Sequence, residues 1–273
     1  MALSLLVLTD FFQPADHALA YADALAGAIG ARLVLLHIRR NSLLDPEHLT
    51  GQVDMLSQET IDLALESLTR ELTAPVVAEV AHGQVAEAVA DALRRHQPAL
   101  VVLGHRDTDA TPDALVSSGA LAILRTAPQP LLLVPAHASP IIPHRVLLAL
   151  DNEPFSLGTQ ADLARHLFEA LAAEMTMLHV GPDEASATAG TAAAREALVR
   201  TGLARDLPAG LRTQSLVHAT PAGGILQVAA SGGFDLVVLV ARPRGFLSEL
   251  FHRSVTTHVL LHSPLPVLVL PAS

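Results

Sequence analysis

The stretch FDLVVLVARPRGFLSELFHRSVTTHVLLHSPLPVLVLP, residues 234–271, decides the fold. An apolar run at 236–240 leads into a basic, Gly-containing loop, an amphipathic segment, a Pro-Leu-Pro break and a second apolar run at 267–270. Both runs have strand length, are rich in Val and Leu, and leave no face for water. They read as neighbouring strands buried on both sides of a parallel sheet. Parallel neighbours need a crossover, and the segment between the runs supplies it as a helix. In such sheets the carboxyl end of the first strand and the amino end of the next helix form a crevice for anions or other ligands. Residues 241–254 are therefore where function is expected.

Working outward, the same pattern occurs at residues 98–135, PALVVLGHRDTDATPDALVSSGALAILRTAPQPLLLVP. Gly104 answers Val240, Ser118 answers Ser254 and Pro128 answers Pro264, so the chain is an internal duplication. The starts of the halves agree as well: LSLLVLTDFF (3–12) and HRVLLALDNEPF (144–155) each hold a strand ending in Asp, and RLVLLHI (32–38) answers EMTMLHV (174–180).

The remaining periodicity places helices at 14–30, 46–72 and 85–93 and strands at 32–38, 75–80 and 100–103 in the first half. Helices are expected near 158–173, 191–206 and 222–231 in the second. Gly30 reads as a C-terminal cap. Residues 181–190, rich in Ala, Gly, Ser and Thr, are expected to form a flexible loop. Alternation of this kind predicts two tandem doubly wound α/β domains, at 1–138 and 144–273, each with a five-stranded parallel sheet. The segment AHASPIIP (136–143) joins them.

Composition narrows the function. The 273 residues carry a formal net charge of -10, which disfavours nucleic acid and anionic membranes as partners and favours proteins or small molecules. There is no cysteine, which excludes disulfides and thiolate chemistry. The apolar start is broken by Asp10 and lacks a basic n-region, so it reads as a strand, and a cytoplasmic protein is expected.

At this point the chain resembles a tandem member of the universal stress protein family. The strand ending in Asp, the Ala-rich helix, the strand ending in Leu-His and the closing Pro-x-Pro strand each occur in both halves. The resemblance implies an adenine nucleotide alpha hydrolase-like fold, strand order 3-2-1-4-5, and pairing of the halves about a pseudo-twofold axis through their last strands. It also implies an ATP site: a G-2x-G-9x-G-S/T motif after the fourth strand, and an Asp at the end of the first strand on the adenine side. Glycines let backbone N–H groups approach phosphates, and the hydroxyl residue opens a helix whose positive end faces the anion.

Here the motif is degenerate. The first half keeps Gly104 and Ser118 but has Asp107 and Ser117 at the other glycine positions, and Asp107 should repel a triphosphate. The second half has Val240, Pro243 and Arg253 at the glycine positions and keeps only Ser254. The candidate nucleotide-binding residues are thus Asp10, His37, Gly104, Ser117 and Ser118 in the first half. In the second they are Asp151, Arg242, Arg244, Arg253 and Ser254.

Each has a plainer reading. The arginines suit an anion site or a solvated, salt-bridged loop. His37 and His179 suit backbone-bonded strand ends, and Asp10 and Asp151 suit loop ties. Phe246, Leu247, Leu250 and Phe251 are expected to pack the loop onto the sheet. His258 and His262 have a spacing that suits a metal, but in a chain with 14 histidines a surface pair is expected, and no metal site is assigned. No catalytic constellation emerges, so the expectation is a non-enzymatic stress-response or regulatory module with protein partners, an internal pseudo-dimer that can dimerise further. The alternative is an ATP-binding stress protein using the first-half site.

Overall fold

The computed structural model describes residues 3–9, 13–39, 58–105, 129–158, 160–203, 210–242 and 254–272. The first half runs β1 (Ser4–Thr9), α1 (Gln13–Ile29), β2 (Arg32–Arg39), α2 (Gln58–Arg70), β3 (Val76–His82), α3 (Val85–His96), β4 (Leu100–His105) and β5 (Leu131–Pro135). The second runs β6 (Arg145–Ala149), α4 (Gln160–Ala170), β7 (Glu174–Gly181), α5 (Glu184–Thr201), β8 (Leu211–Val217), α6 (Pro221–Ala229), β9 (Leu236–Ala241), α7 (Val255–His262) and β10 (Val267–Pro271). The crossover expected between β4 and β5, and residues 46–57 of the expected second helix, lie outside the described residues.

All ten strands form a single sheet in the order β3-β2-β1-β4-β5-β10-β9-β6-β7-β8. Each half therefore has the order 3-2-1-4-5, with parallel pairing inside it. The halves meet where β5 and β10 pair antiparallel, Leu132 opposite Leu268 and Leu131 opposite Val269. Leu132 and Leu268 are equivalent residues of the duplication, so a pseudo-twofold axis passes through that pair.

Strand residues alternate between two layers of core, as the pleat requires. Leu5, Val7, Leu33, Leu35, Val102, Leu132, Val146, Leu148, Val238 and Leu268 face one apolar layer that runs unbroken through both halves under α1, α2, α4 and α5. On the other face Leu6, Val34 and Val101 pack on α3, while Leu147, Val237, Val267 and Val269 pack on α6 and α7. Burial on both sides explains why these strands are uniformly apolar. Each fully buried Leu or Val contributes about 1.5–3 kcal/mol.

The chain differs from the sequence expectation at residues 181–190, which are helical from Glu184 onward. Asp183 is the N-cap: its carboxylate accepts from the Ser186 N–H at 2.8 Å and from the Ser186 hydroxyl at 2.9 Å. Those bonds satisfy donors that a helix start leaves open. Small residues do not make this stretch a loop: they let the helix lie close to the sheet, with Ala187, Gly190 and Ala194 buried. The helix expected at 191–206 thus begins earlier and ends earlier, at Thr201. Gly202, at φ +73°, closes it by donating its N–H to the Val199 carbonyl. Gly30 closes α1 as the sequence predicts, at φ +64°.

Candidate functional site

The strand order reverses direction between β1 and β4 in the first half and between β6 and β9 in the second. Crevices in open α/β sheets lie at the carboxyl ends of such strand pairs. In the second half β6 runs out at Ala149 and delivers Asp151, while β9 runs out at Ala241 and delivers Arg242. Ala149 lies opposite Leu239 in the ladder, so the two charged side chains emerge side by side.

They close on each other. Arg242 Nη2 donates to Asp151 Oδ1 at 2.7 Å, and Nη1 pairs with Oδ2, a two-pronged contact in which both carboxylate oxygens are engaged. The same Nη2 donates to the Glu153 carbonyl at 2.9 Å, and Asp151 Oδ1 accepts the Glu153 N–H at 3.1 Å. The turn after β6 is therefore folded around the guanidinium. Burial pushes the Asp151 carboxyl upward. Hydrogen bonds from Arg242 and the Glu153 N–H, with the Arg242 charge, outweigh it and hold the group below the ordinary carboxylate range. Bonding to Asp151 raises Arg242, against a smaller opposing effect of burial. Arg242 Nε is buried with no hydrogen-bond partner among the described residues.

The strand-end histidines are matched across the repeat. His37, in β2, places Nδ1 at 3.0 Å from the Thr9 carbonyl, and His179, in β7, places Nδ1 at 3.0 Å from the Leu150 carbonyl. A carbonyl only accepts, so Nδ1 carries the proton in both. Each bond pins the backbone immediately before the Asp that follows. His179 Nε2 faces α5 so closely that a Cβ at Gly190 would lie 2.0 Å from it. The role of Gly190 is missed by a reading of the sequence, because it rests on the approach of α5 to His179 of β7.

Of the other predicted residues, Gly104 sits near the end of β4, opposite Val134. Ser254 is the N-cap of α7, its carbonyl accepting the His258 N–H at 3.0 Å, with no cap bond from its side chain. Asp10, Ser117, Ser118, Arg244 and Arg253 lie outside the described residues, as do Asp107 and the apolar set Phe246, Leu247, Leu250 and Phe251. His258 and His262 stack with ring centroids 4.3 Å apart, and His262 Nδ1 donates to the His258 carbonyl at 2.8 Å. Among the described residues no three His, Cys, Asp or Glu side chains gather as metal ligands. None of the described helices is long and apolar enough to cross a membrane.

Two repeats of a doubly wound parallel sheet, each with a reversal of strand order, define a tandem α/β protein of nucleotide-binding-like architecture. The chain belongs to the universal stress protein family, whose model matches residues 1–135 and again 143–271. A universal stress protein of Mycobacterium bovis and one of Mycobacterium tuberculosis are each 27% identical to it over 147 residues, 53% of this chain and 45% of theirs. The match takes in less than half the length of those relatives. Among solved structures, a universal stress protein from Archaeoglobus fulgidus shares the fold at a TM-score of 0.69 and 19% identity, over 98% of each chain.

Proposed function

We propose that the chain is a non-catalytic stress-response module of the cytoplasm that works through protein contacts, its second-half nucleotide site being filled by its own side chains. One observation carries the closing of that site: Arg242 occupies both oxygens of Asp151, the residue that the family resemblance sets on the adenine side. A nucleotide base would have to displace a charge-assisted, two-pronged pair before it could bond that carboxylate. The phosphate side is no better suited. Val240 puts a branched side chain where the motif has glycine, and Pro243 has no N–H to offer. The second-half residues therefore do not fit ATP in the family manner.

A second reading gives the first half a working adenine-nucleotide site built on Asp10, Gly104 and Ser118. Its support is the retained glycine and hydroxyl of the motif. Native mass spectrometry with ATP and magnesium, together with an assay for released phosphate, separates the two. The first reading expects a bare chain and no phosphate release. One nucleotide per chain, lost on Gly104→Val, establishes the second reading. Binding that is lost on Asp151→Ala and spared by Gly104→Val overturns the closed second-half site.

A further inference from the structure

We infer that the chain associates with a second copy of itself through the outer edge of β8, in a twofold antiparallel strand pair centred on Gln214. The sheet ends at β3 on one side and β8 on the other, and no described strand pairs with the far side of either. Open edges offer unpaired N–H and C=O groups to another strand, and proteins guard them with charge, proline or a cover. The two ends occupy equivalent places in the repeats but are guarded unequally. β3 carries its one carboxylate, Glu79, at mid-strand, where a twofold pair would set it against its own copy, and Val77 beside it is 47% exposed. On β8 the one charge, Arg212, stands near the start of the strand and pairs with Glu174 at 3.5 Å; Thr213, Gln214 and Ser215 at its middle are exposed and neutral, and Val217 is as exposed as Val77.

The backbone sets the register. The His218 N–H donates to the Gly181 carbonyl of β7. Backbone polar groups alternate sides along a strand, so Arg212, Gln214 and Leu216 turn theirs toward β7, while Leu211, Thr213, Ser215 and Val217 turn theirs outward. Antiparallel pairing about Gln214 sets Thr213 against Ser215 and Leu211 against Val217, each pair exchanging two hydrogen bonds. Arg212 faces Leu216, so no like charges meet. The edge is self-complementary, as a twofold interface requires.

The molecule already contains a joint of this kind. At the β5–β10 seam two strands pair antiparallel and α1 touches α4 across them on one face. The same operation at β8 lays two copies of α5 side by side, because α5 packs on β7 and β8. Val199 of α5 is 62% exposed, and Glu196 precedes Arg200, so antiparallel copies bring unlike charges together.

Sedimentation velocity on the full chain at tens of micromolar tests this, with twice the chain mass expected. Ser215→Pro removes an outward N–H and spares the β7 ladder. Gln214→Lys sets two cations opposite each other. Each is expected to weaken the dimer by at least about tenfold, with circular dichroism unchanged. Ala78→Pro, which removes an outward N–H from β3, is expected to leave the dimer intact. A monomeric wild-type chain, a dimer that survives both β8 substitutions, or a dimer lost with Ala78→Pro overturns the inference.

Discussion

Arg242 grips Asp151 from 91 residues away in the chain, joining the turn after β6 to the end of β9. The Arg242 side chain is 22% exposed and that of Asp151 53%, so the pair is partly screened by water.

That exposure limits its worth to about 1 kcal/mol. The carboxyl is depressed in the folded chain, so its contribution is complete above the unfolded value of about 3.9 and is lost as pH falls through the lower folded value. Asp151→Asn is therefore expected to cost about 1 kcal/mol at pH 7, with the difference from wild type closing as pH falls through the depressed folded value. Urea titrations at neutral and acid pH measure it. A gap of equal size at both would mean that the carboxylate charge is not what matters.

Gly190→Ala pits helix propensity against packing. In an open helix the change stabilises by about 0.8–1 kcal/mol. Here the new methyl would meet the His179 ring, which is buried and tied to Leu150. The expected result is a net loss of about 1–3 kcal/mol. Adding His179→Ala should recover part of it, because residues in contact do not act additively. A double-mutant cycle by thermal or urea unfolding gives the coupling, and strict additivity would show that the ring does not press on Gly190.

Tyr21 is 1% exposed at the seam between the halves, in carbon surroundings that include Leu25, Leu132, Pro143 and Leu236. Its hydroxyl has no partner among the described residues. Burial, and then the Asp235 charge, hold its ionisation well above the ordinary phenol value. Tyr21→Phe removes an unsatisfied polar group from an apolar site, and is expected to be neutral or to stabilise by about 1 kcal/mol. Calorimetry checks this, and a clear fall in melting temperature would show that the hydroxyl is hydrogen-bonded in solution.

The central strands were legible because burial on both faces leaves no choice of residue type: 236–240 and 267–270 are apolar at every position. Helix ends with a chemical marker were legible too, as at Gly30. The start of α5 was misread because Ala, Gly, Ser and Thr suit both a loop and a helix lying close to a sheet. Only the capping bond from Asp183 and the contact with β7 decide between them. The positions of Asp151 and Arg242 at two strand ends followed from the repeat, but their pairing did not.

The sequence by itself determined the duplication, the strand order implied by the family resemblance, and the loss of glycines from the phosphate-binding motif. Each of these is written in local pattern or in residue identity. The tertiary structure alone decided that one apolar layer runs through both halves, that Leu132 meets its equivalent Leu268 at the axis, and that Asp151 is taken up by Arg242. Those outcomes depend on which residues far apart in the chain come within hydrogen-bonding or packing distance. Only the folded arrangement of strands in space sets that distance.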